Sequence, residues 1–312
     1  MTTATAPPPR ARRRFFVALT VSLAVSVAVA VLIPAWLVVK SALFGLRLAH
    51  LPRAPVPPDE EAEAFAAIPH LEKVVLHTSD GLSLQGWFAP GTRRAALAFV
   101  HGSGANRLML LPDARALARH GYGFLVYDSR ACGESEGELA TWGDRERLDL
   151  RAAIDFLSAR PDVDPARIGA AGFSVGASTV VLEAADDARL HAVVLYATST
   201  SLEDEFKTNE SRYGPLSWGP ELFELRSQGV NVGAVRPIDV IGRIQPRPLL
   251  MIAGESDHHT PVAEMKTLFE AAGAPKDLWI VPLADHGGAF AAAPADYESR
   301  VTAFLESAFA GR

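Results

Sequence analysis

The pentapeptide GFSVG at residues 172–176 sets Ser174 between two glycines, Gly172 and Gly176. With glycine near 7% of residues in ordinary proteins, such a pattern arises by chance in roughly one chain in ten of this length. Its surroundings therefore decide its meaning. ARIGAAG (166–172) runs into it as a β-type apolar stretch, and ASTVVL (177–182) leaves it as a helix-like run. A serine on so sharp a strand-to-helix turn must take a strained backbone conformation, which presents its hydroxyl above the sheet. The residues two positions away on either side then need to lack side chains.

The alternation of strand and helix extends outward from this turn. KVVLH (73–77) and LSLQGWF (82–88) flank Ser79-Asp80-Gly81, a hairpin signal. AALAFVH (95–101), GFLVYD (123–128), HAVVLYA (191–197), PLLMIAG (248–254) and LWIVPL (278–283) are continuous apolar runs, as expected of strands buried on both faces. Helix-like segments lie at 109–120, at 144–159 and, after the last strand, at 295–309. In the second of these, Leu150, Ala153, Ile154 and Leu157 recur at helical spacing. The pattern predicts an α/β fold with a mostly parallel sheet covered by helices on both sides. In such sheets function gathers at the carboxyl ends of the strands.

Two further residues stand just beyond predicted strand ends. Asp257 lies in GESDHHTP after the strand at 248–254, and His286 lies in ADHGG after the strand at 278–283. A serine hydroxyl needs a general base, and that base needs an orienting carboxylate. The order Ser174, Asp257, His286 is the one this kind of turn requires. Taken singly, Asp257 could cap a helix starting near Pro261 and His286 could be a surface-loop residue; together, in order, they read as a triad. Glu255 is a weaker candidate for the acid. His258 and His259 are adjacent, do not face one site easily, and have no third partner at metal spacing, so no metal site and no cofactor is expected. The turn HGSGANR (101–107) supplies small residues whose backbone N–H groups can face a cleft. Ser103 and Val175 are the expected oxyanion donors, with the His101 side chain structural. The turn lacks the Lys-Ser/Thr ending of a phosphate-binding loop.

These residues resemble the α/β-hydrolase superfamily, and within it the compact bacterial serine-aminopeptidase-like hydrolases. The similarity covers residues 71–312 through HGSG (101–104), YDSRACGESEG (127–137), GFSVG (172–176), GESD (254–257) and DHGG (285–288). Two positions depart from the family pattern, Ala131 and Asp285, where glycine is usual. The resemblance implies Ser174 as nucleophile, His286 as base and Asp257 as its orienter. It also implies hydrolysis of an ester, thioester or amide through an acyl-enzyme, or a silent binding protein of the same fold. A small acyl compound is the expected substrate, most simply a carboxylic ester. The segment 198–245 is where the fold carries a lid. Its Trp218 and Phe223 are candidates for an apolar pocket, or else for packing the lid onto the body, and Glu203, Asp204 and Glu205 are expected to form a solvated face.

The N-terminus has a separate character. Four arginines and no acid occupy residues 1–14, so of the net charge of −6 the remaining chain carries −10. An acidic body argues against nucleic acid as a partner. Phe15 to Val39 is an uncharged, mostly apolar run of 25 residues, against about 20 needed to cross a bilayer. The domains expected are a basic cytoplasmic tip (1–14), a single-pass membrane anchor (15–40), a proline-rich linker (41–70) and the catalytic domain (71–312). The arginines ahead of the run place the tip inside and the domain outside. A cleaved export signal ending near Ala30 is the alternative; the apolar run continuing past Ala30 favours the anchor. The single cysteine, Cys132, allows no internal disulfide.

Overall fold

A computed structural model describes residues 9–209 and 214–310. The tip through residue 8 and Tyr213 of the lid lie outside the described residues. In chain order the helices are α1 (Pro9–Ala49), α2 (Pro58–Ala67), α3 (Leu111–Ala118), α4 (Glu146–Ala159), α5 (Val175–Ala184), α6 (Leu202–Asn209), α7 (Pro215–Ser227), α8 (Pro237–Val240), α9 (Val262–Ala271), α10 (Ala289–Ala292) and α11 (Pro294–Ala308). The strands are β1 (Glu72–His77), β2 (Ser83–Ala89), β3 (Ala96–Val100), β4 (Gly123–Tyr127), β5 (Ile168–Phe173), β6 (Ala192–Tyr196), β7 (Leu249–Gly254) and β8 (Lys276–Val281). They form one sheet in the order β1-β2-β4-β3-β5-β6-β7-β8. The β1–β2 hairpin is antiparallel, β2 joins β4 antiparallel, and every pair from β4 to β8 is parallel.

The apolar strands are continuous because both faces are covered. Leu97, Phe99, Val194 and Ile252 point to the side packed by α3 and α11. Their alternates Ala98, Val100, Leu195 and Met251 point to the side packed by α4, α5 and α9. The period of two along each strand thus divides the core into two layers.

The N-terminal segment departs from the expected division into anchor and linker. Helix α1 does not stop at Lys40; it continues to Ala49. Its last turns lie on α7, where a Cβ on Gly45 would come within 2.8 Å of the Glu221 carbonyl oxygen. Ser41, Gly45 and Ala49, four residues apart on one face, are all buried, so the two backbones approach closely. Residues 16–49 form a helix whose most apolar 18 residues have a mean hydropathy of 2.7, long and apolar enough to cross a membrane. The acidic, proline-containing stretch read as a spacer is in part helix α2. Pro58 occupies its first turn beside Asp59, Glu60 and Glu61, where proline has the right φ and carboxylates meet the positive end of the helix. Ala64 and Val56 are buried against the core.

Candidate active site

Ser174 sits between β5 and α5 with φ 53° and ψ −121°, the strained conformation expected of it. Its N–H donates to the Tyr196 carbonyl (2.9 Å), and its own carbonyl accepts from Ala177 (2.9 Å) and Ser178 (3.1 Å). The flanking glycines are sterically required. A Cβ on Gly176 would lie 2.1 Å from the Val100 carbonyl oxygen, and one on Gly172 would lie 2.4 Å from that of Gly176.

The structure brings Ser174, His286 and Asp257 together. Nδ1 of His286 is 2.8 Å from Asp257 Oδ2 and Nε2 is 3.2 Å from Ser174 Oγ. A carboxylate only accepts, so Nδ1–H donates to Asp257 and leaves Nε2 free to accept the serine proton. Oδ1 of Asp257 accepts from the backbone N–H groups of His259 (2.8 Å) and Thr260 (2.9 Å). Burial alone would raise the Asp257 pKa, but the hydrogen bonds from His286, Thr260 and His259 outweigh it and hold the carboxyl below its ordinary value. Asp257 makes no cap to α9, whose N-cap is Pro261. Phe173 and His259 pack against the His286 ring, with centroids 4.8 and 5.1 Å away. Glu255 is exposed and accepts from Leu283 N–H at 3.1 Å, away from the histidine. Asp285 is exposed at the rim. Among the described residues, no group of three or more His, Cys, Asp or Glu is arranged to hold a metal ion.

Ser103, Gly104 and Val175 border one small pocket with Trp142, Cys132 and Leu51. On the other side, His286, Phe173, Tyr196, Phe290 and Asp113 line a larger one of about 180 Å³. Ser174 lies in the chain between Phe173, which lines the larger pocket, and Val175, which lines the smaller one at the N-terminus of α5. His101 is buried and supports the turn at 102–104: its Nε2 accepts from Ser129 N–H (3.0 Å), so Nδ1–H donates to the Gly102 carbonyl (2.7 Å). Burial lowers its pKa, as suits this neutral, structural role. Burial likewise pushes the Cys132 thiol up to about 12, which keeps it protonated and unreactive at neutral pH.

The loop at 128–135 is held by charge. Asp128 accepts from Arg107 N–H (2.7 Å), from its guanidinium (2.6 Å) and from Glu134 N–H (2.9 Å). Arg130 donates to Asp149 and to Asp80. Ala131, where glycine is usual, adopts φ 59°, so the family's glycine position keeps its left-handed conformation at some strain.

The expected pocket aromatics on the lid are not there. Phe223 is 69% exposed, because the inward face of α7 is taken by Ser217, Glu221, Leu222 and Leu225. Trp218 packs at the edge of the lid cluster, with Lys207 over its ring at 5.5 Å. The aromatics that do border the pockets, Trp142, Phe173, Tyr196 and Phe290, come from the body. The acids of α6 do not share a solvated face either. Asp204 is exposed, but Glu205 turns inward; burial, against a hydrogen bond with Ser199 and the nearby His286, pushes it up to about 7. No local pattern in the sequence marks Glu205, Asp113 or Leu51, since each reaches the site through distant packing.

A family model, X-Pro dipeptidyl-peptidase (S15 family), matches residues 58–217. An uncharacterized protein of Mycobacterium tuberculosis, Rv2307c, is 32% identical over 244 residues, covering 77% of this chain and 79% of that protein. The esterase Pf2001 of Pyrococcus furiosus superposes with a TM-score of 0.70 at 25% identity, over 83% of this chain and 98% of the esterase. A bacterial membrane phospholipase A shares the fold with a TM-score of 0.59 at 16% identity, over 96% of this chain and 100% of its own. With that family match, a mostly parallel eight-stranded sheet and a serine at its strand-to-helix turn, the chain belongs to the X-Pro dipeptidyl-peptidase (S15) family of the α/β-hydrolase superfamily and is a serine hydrolase.

Proposed function

We propose that the protein is a membrane-anchored esterase that cleaves a small carboxylic ester through an acyl-enzyme on Ser174. The observation that carries this reading is the relay from Ser174 Oγ to His286 Nε2 (3.2 Å) and from Nδ1 to Asp257 (2.8 Å), beside two pockets that carry the aromatic residues Trp142, Phe173, Tyr196 and Phe290. Ser174 Oγ attacks the ester carbonyl as His286 takes its proton. The imidazolium so formed is balanced by Asp257, the carboxylate held ionised by its hydrogen bonds. The carbonyl oxygen, now negative, accepts from the N–H groups of Ser103 and Val175, donors worth about 10²–10³ in rate each. His286 then returns the proton to the leaving oxygen, and water repeats the sequence to release the acid.

The likeness to an esterase at 25% identity supports an ester over an amide. The S15 match favours a second reading, a peptidase using the same groups on an amide bond. Helix α1 would hold the domain at the bilayer, with Arg10, Arg13 and Arg14 on the cytoplasmic side. A fluorophosphonate probe tests the nucleophile: wild type is labelled and Ser174→Ala is not, and equal labelling of the two removes the serine reading. Comparing p-nitrophenyl esters with an aminoacyl-proline anilide decides between the two substrates. Faster relative turnover of the anilide would replace the esterase with the peptidase. Fusion of a periplasm-active reporter to residue 312 is expected to be active, and an inactive fusion would reverse the orientation.

A further inference from the structure

The two pockets beside Ser174 differ in size and in the segments that build them. The one beside His286 has about 180 Å³ of free space. The one beside Ser103 and Val175 has about 20 Å³, a little more than the roughly 10–15 Å³ that one water needs. Besides the turn at 101–104, the walls of the smaller pocket include Cys132, Ala140, Trp142 and Val175 from the body, and Leu51 from the chain just beyond α1. The buried polar residues Ser129, Arg130, Glu146 and Thr179 of the body line it as well. A Leu51 methyl lies 3.8 Å from where a Cβ would stand on Gly104, so the side chain rests on the oxyanion turn.

Leu51 is held there from both sides. Before it, Ala140 N–H donates to the Ala49 carbonyl (2.9 Å) and Trp142 Nε1–H donates to Leu48 (3.3 Å). The His50 ring bridges the Glu138 carbonyl (3.0 Å) and the Gln228 side chain (3.2 Å). After it, the Arg53 guanidinium donates to the carbonyls of Ser135 and Gly137, and Asn106 donates to Ala54 (2.8 Å). Val56 then enters the core.

The direction of the reaction assigns the two pockets. His286 must protonate the leaving oxygen, so the leaving group lies on the side that His286 lines. The carbonyl oxygen is held by the N–H groups of Ser103 and Val175, and the acyl substituent, turned away from His286, is assigned to the remainder of the small pocket, toward Trp142 and Leu51. We propose that Leu51 is a specificity-determining residue that closes the acyl pocket and restricts the enzyme to short acyl groups carried on larger alcohols. The inference rests on the acyl-enzyme reading above. It makes the anchor helix part of the specificity of the site, because α1 docked on α7 is what delivers Leu51.

The test uses the full-length chain in detergent and p-nitrophenyl acetate, butyrate and octanoate. Wild type is expected to prefer acetate. In Leu51→Ala the octanoate-to-acetate ratio of kcat/KM is expected to rise about tenfold, a size usual for pocket changes of a few carbons. In Leu51→Phe the butyrate-to-acetate ratio falls. A purely structural role would lower all three esters together, so an unchanged ratio in Leu51→Ala overturns the proposal. Should that variant not fold, Leu51→Val reads the same ratio with a smaller shift. Wild type that is labelled by fluorophosphonate but shows no preference for acetate overturns the role of Leu51 alone. Wild type that is neither labelled nor active on any ester overturns the acyl-enzyme reading as well.

Discussion

Two backbone crossings in this molecule depend on a glycine, and they serve different ends. At the Ser174 turn, Gly176 lets helix α5 approach the end of β3, where a Cβ would meet the Val100 carbonyl oxygen at 2.1 Å. In the N-terminal helix, Gly45 lets α1 approach α7, where a Cβ would meet the Glu221 carbonyl oxygen at 2.8 Å. The first crossing is locked inside a sheet, with strand partners on both sides of β5. The second joins a membrane-type helix to the lid, and its stability comes from packing of Ser41, Gly45 and Ala49 on one helix face. The proposed catalytic geometry therefore belongs to the sheet, while the shape of the proposed acyl pocket depends on a contact made at the periphery. The variants below separate the two.

The largest effect is expected at the first crossing. Ser174→Ala should lower ester turnover by about 10⁶, the usual cost of removing such a nucleophile. Ser174→Gly should be equally inactive yet more stable by about 1 kcal/mol, since glycine relieves the positive φ. Turnover and thermal unfolding measured on both variants check this. Residual activity above a hundredth of wild type in Ser174→Ala would break the triad reading, and an unchanged melting temperature in Ser174→Gly would show that the turn stores no strain.

Next in size is the buried carboxyl in the pocket beside His286. Asp113 on α3 borders the pocket beside His286 and accepts from Tyr297. Burial pushes it up to about 6, against that hydrogen bond, while the unfolded chain releases the same proton near pH 4. Between about pH 4 and pH 6 the native state thus holds more protons than the unfolded state, so stability falls as pH rises through that window. Asparagine keeps an acceptor for Tyr297 and does not titrate. Asp113→Asn should match wild type below pH 4 and exceed its stability at pH 8 by up to about 3 kcal/mol. Melting curves across pH that stay parallel would show that Asp113 is ionised in the native protein.

The same contrast explains what could be read from the sequence. The strands, the turn at 172–176 and the positions of Asp257 and His286 follow from residues adjacent in the chain, because each strand runs straight into the loop that carries its functional group. Leu51, Asp113 and Glu205 could not be read this way. Leu51 meets Gly104 only after α1 has docked on α7, and Glu205 turns inward only because α6 packs against the body through Leu202 and Phe206. Phe223 misled for the same reason: an aromatic on a lid suggests a pocket, but which face of α7 turns inward is set by the helix that covers it. Asp59, Glu60 and Glu61 after Pro58 suit a helix start, whereas the prolines around them read as a linker.

A smaller effect is expected at the second crossing. Gly45→Leu places a side chain against the backbone of α7, an overpacking that costs about 1–3 kcal/mol. Because Ser174, His286 and Asp257 are held by the sheet, the fluorophosphonate should still label the variant. Because Leu51 follows α1, the octanoate-to-acetate ratio should rise as it does in Leu51→Ala. Loss of labelling together with selectivity would mean that the two crossings are not independent.

The smallest effect belongs to Phe223. Its ring is 69% exposed on α7, on the side away from Leu222 and Leu225, which fill the lid cluster. Removing an exposed side chain away from such packing usually changes stability by under about 0.5 kcal/mol. Phe223→Ala should therefore melt with wild type and keep the same order of preference among acetate, butyrate and octanoate in detergent. If instead it changes that order, the lid closes over the site during turnover and brings Phe223 to the substrate. Selectivity would then come from the moving lid as well as from the fixed contact at Leu51. Measured alongside Gly45→Leu, the variant distinguishes a pocket shaped by the docked anchor from one completed by a closing helix.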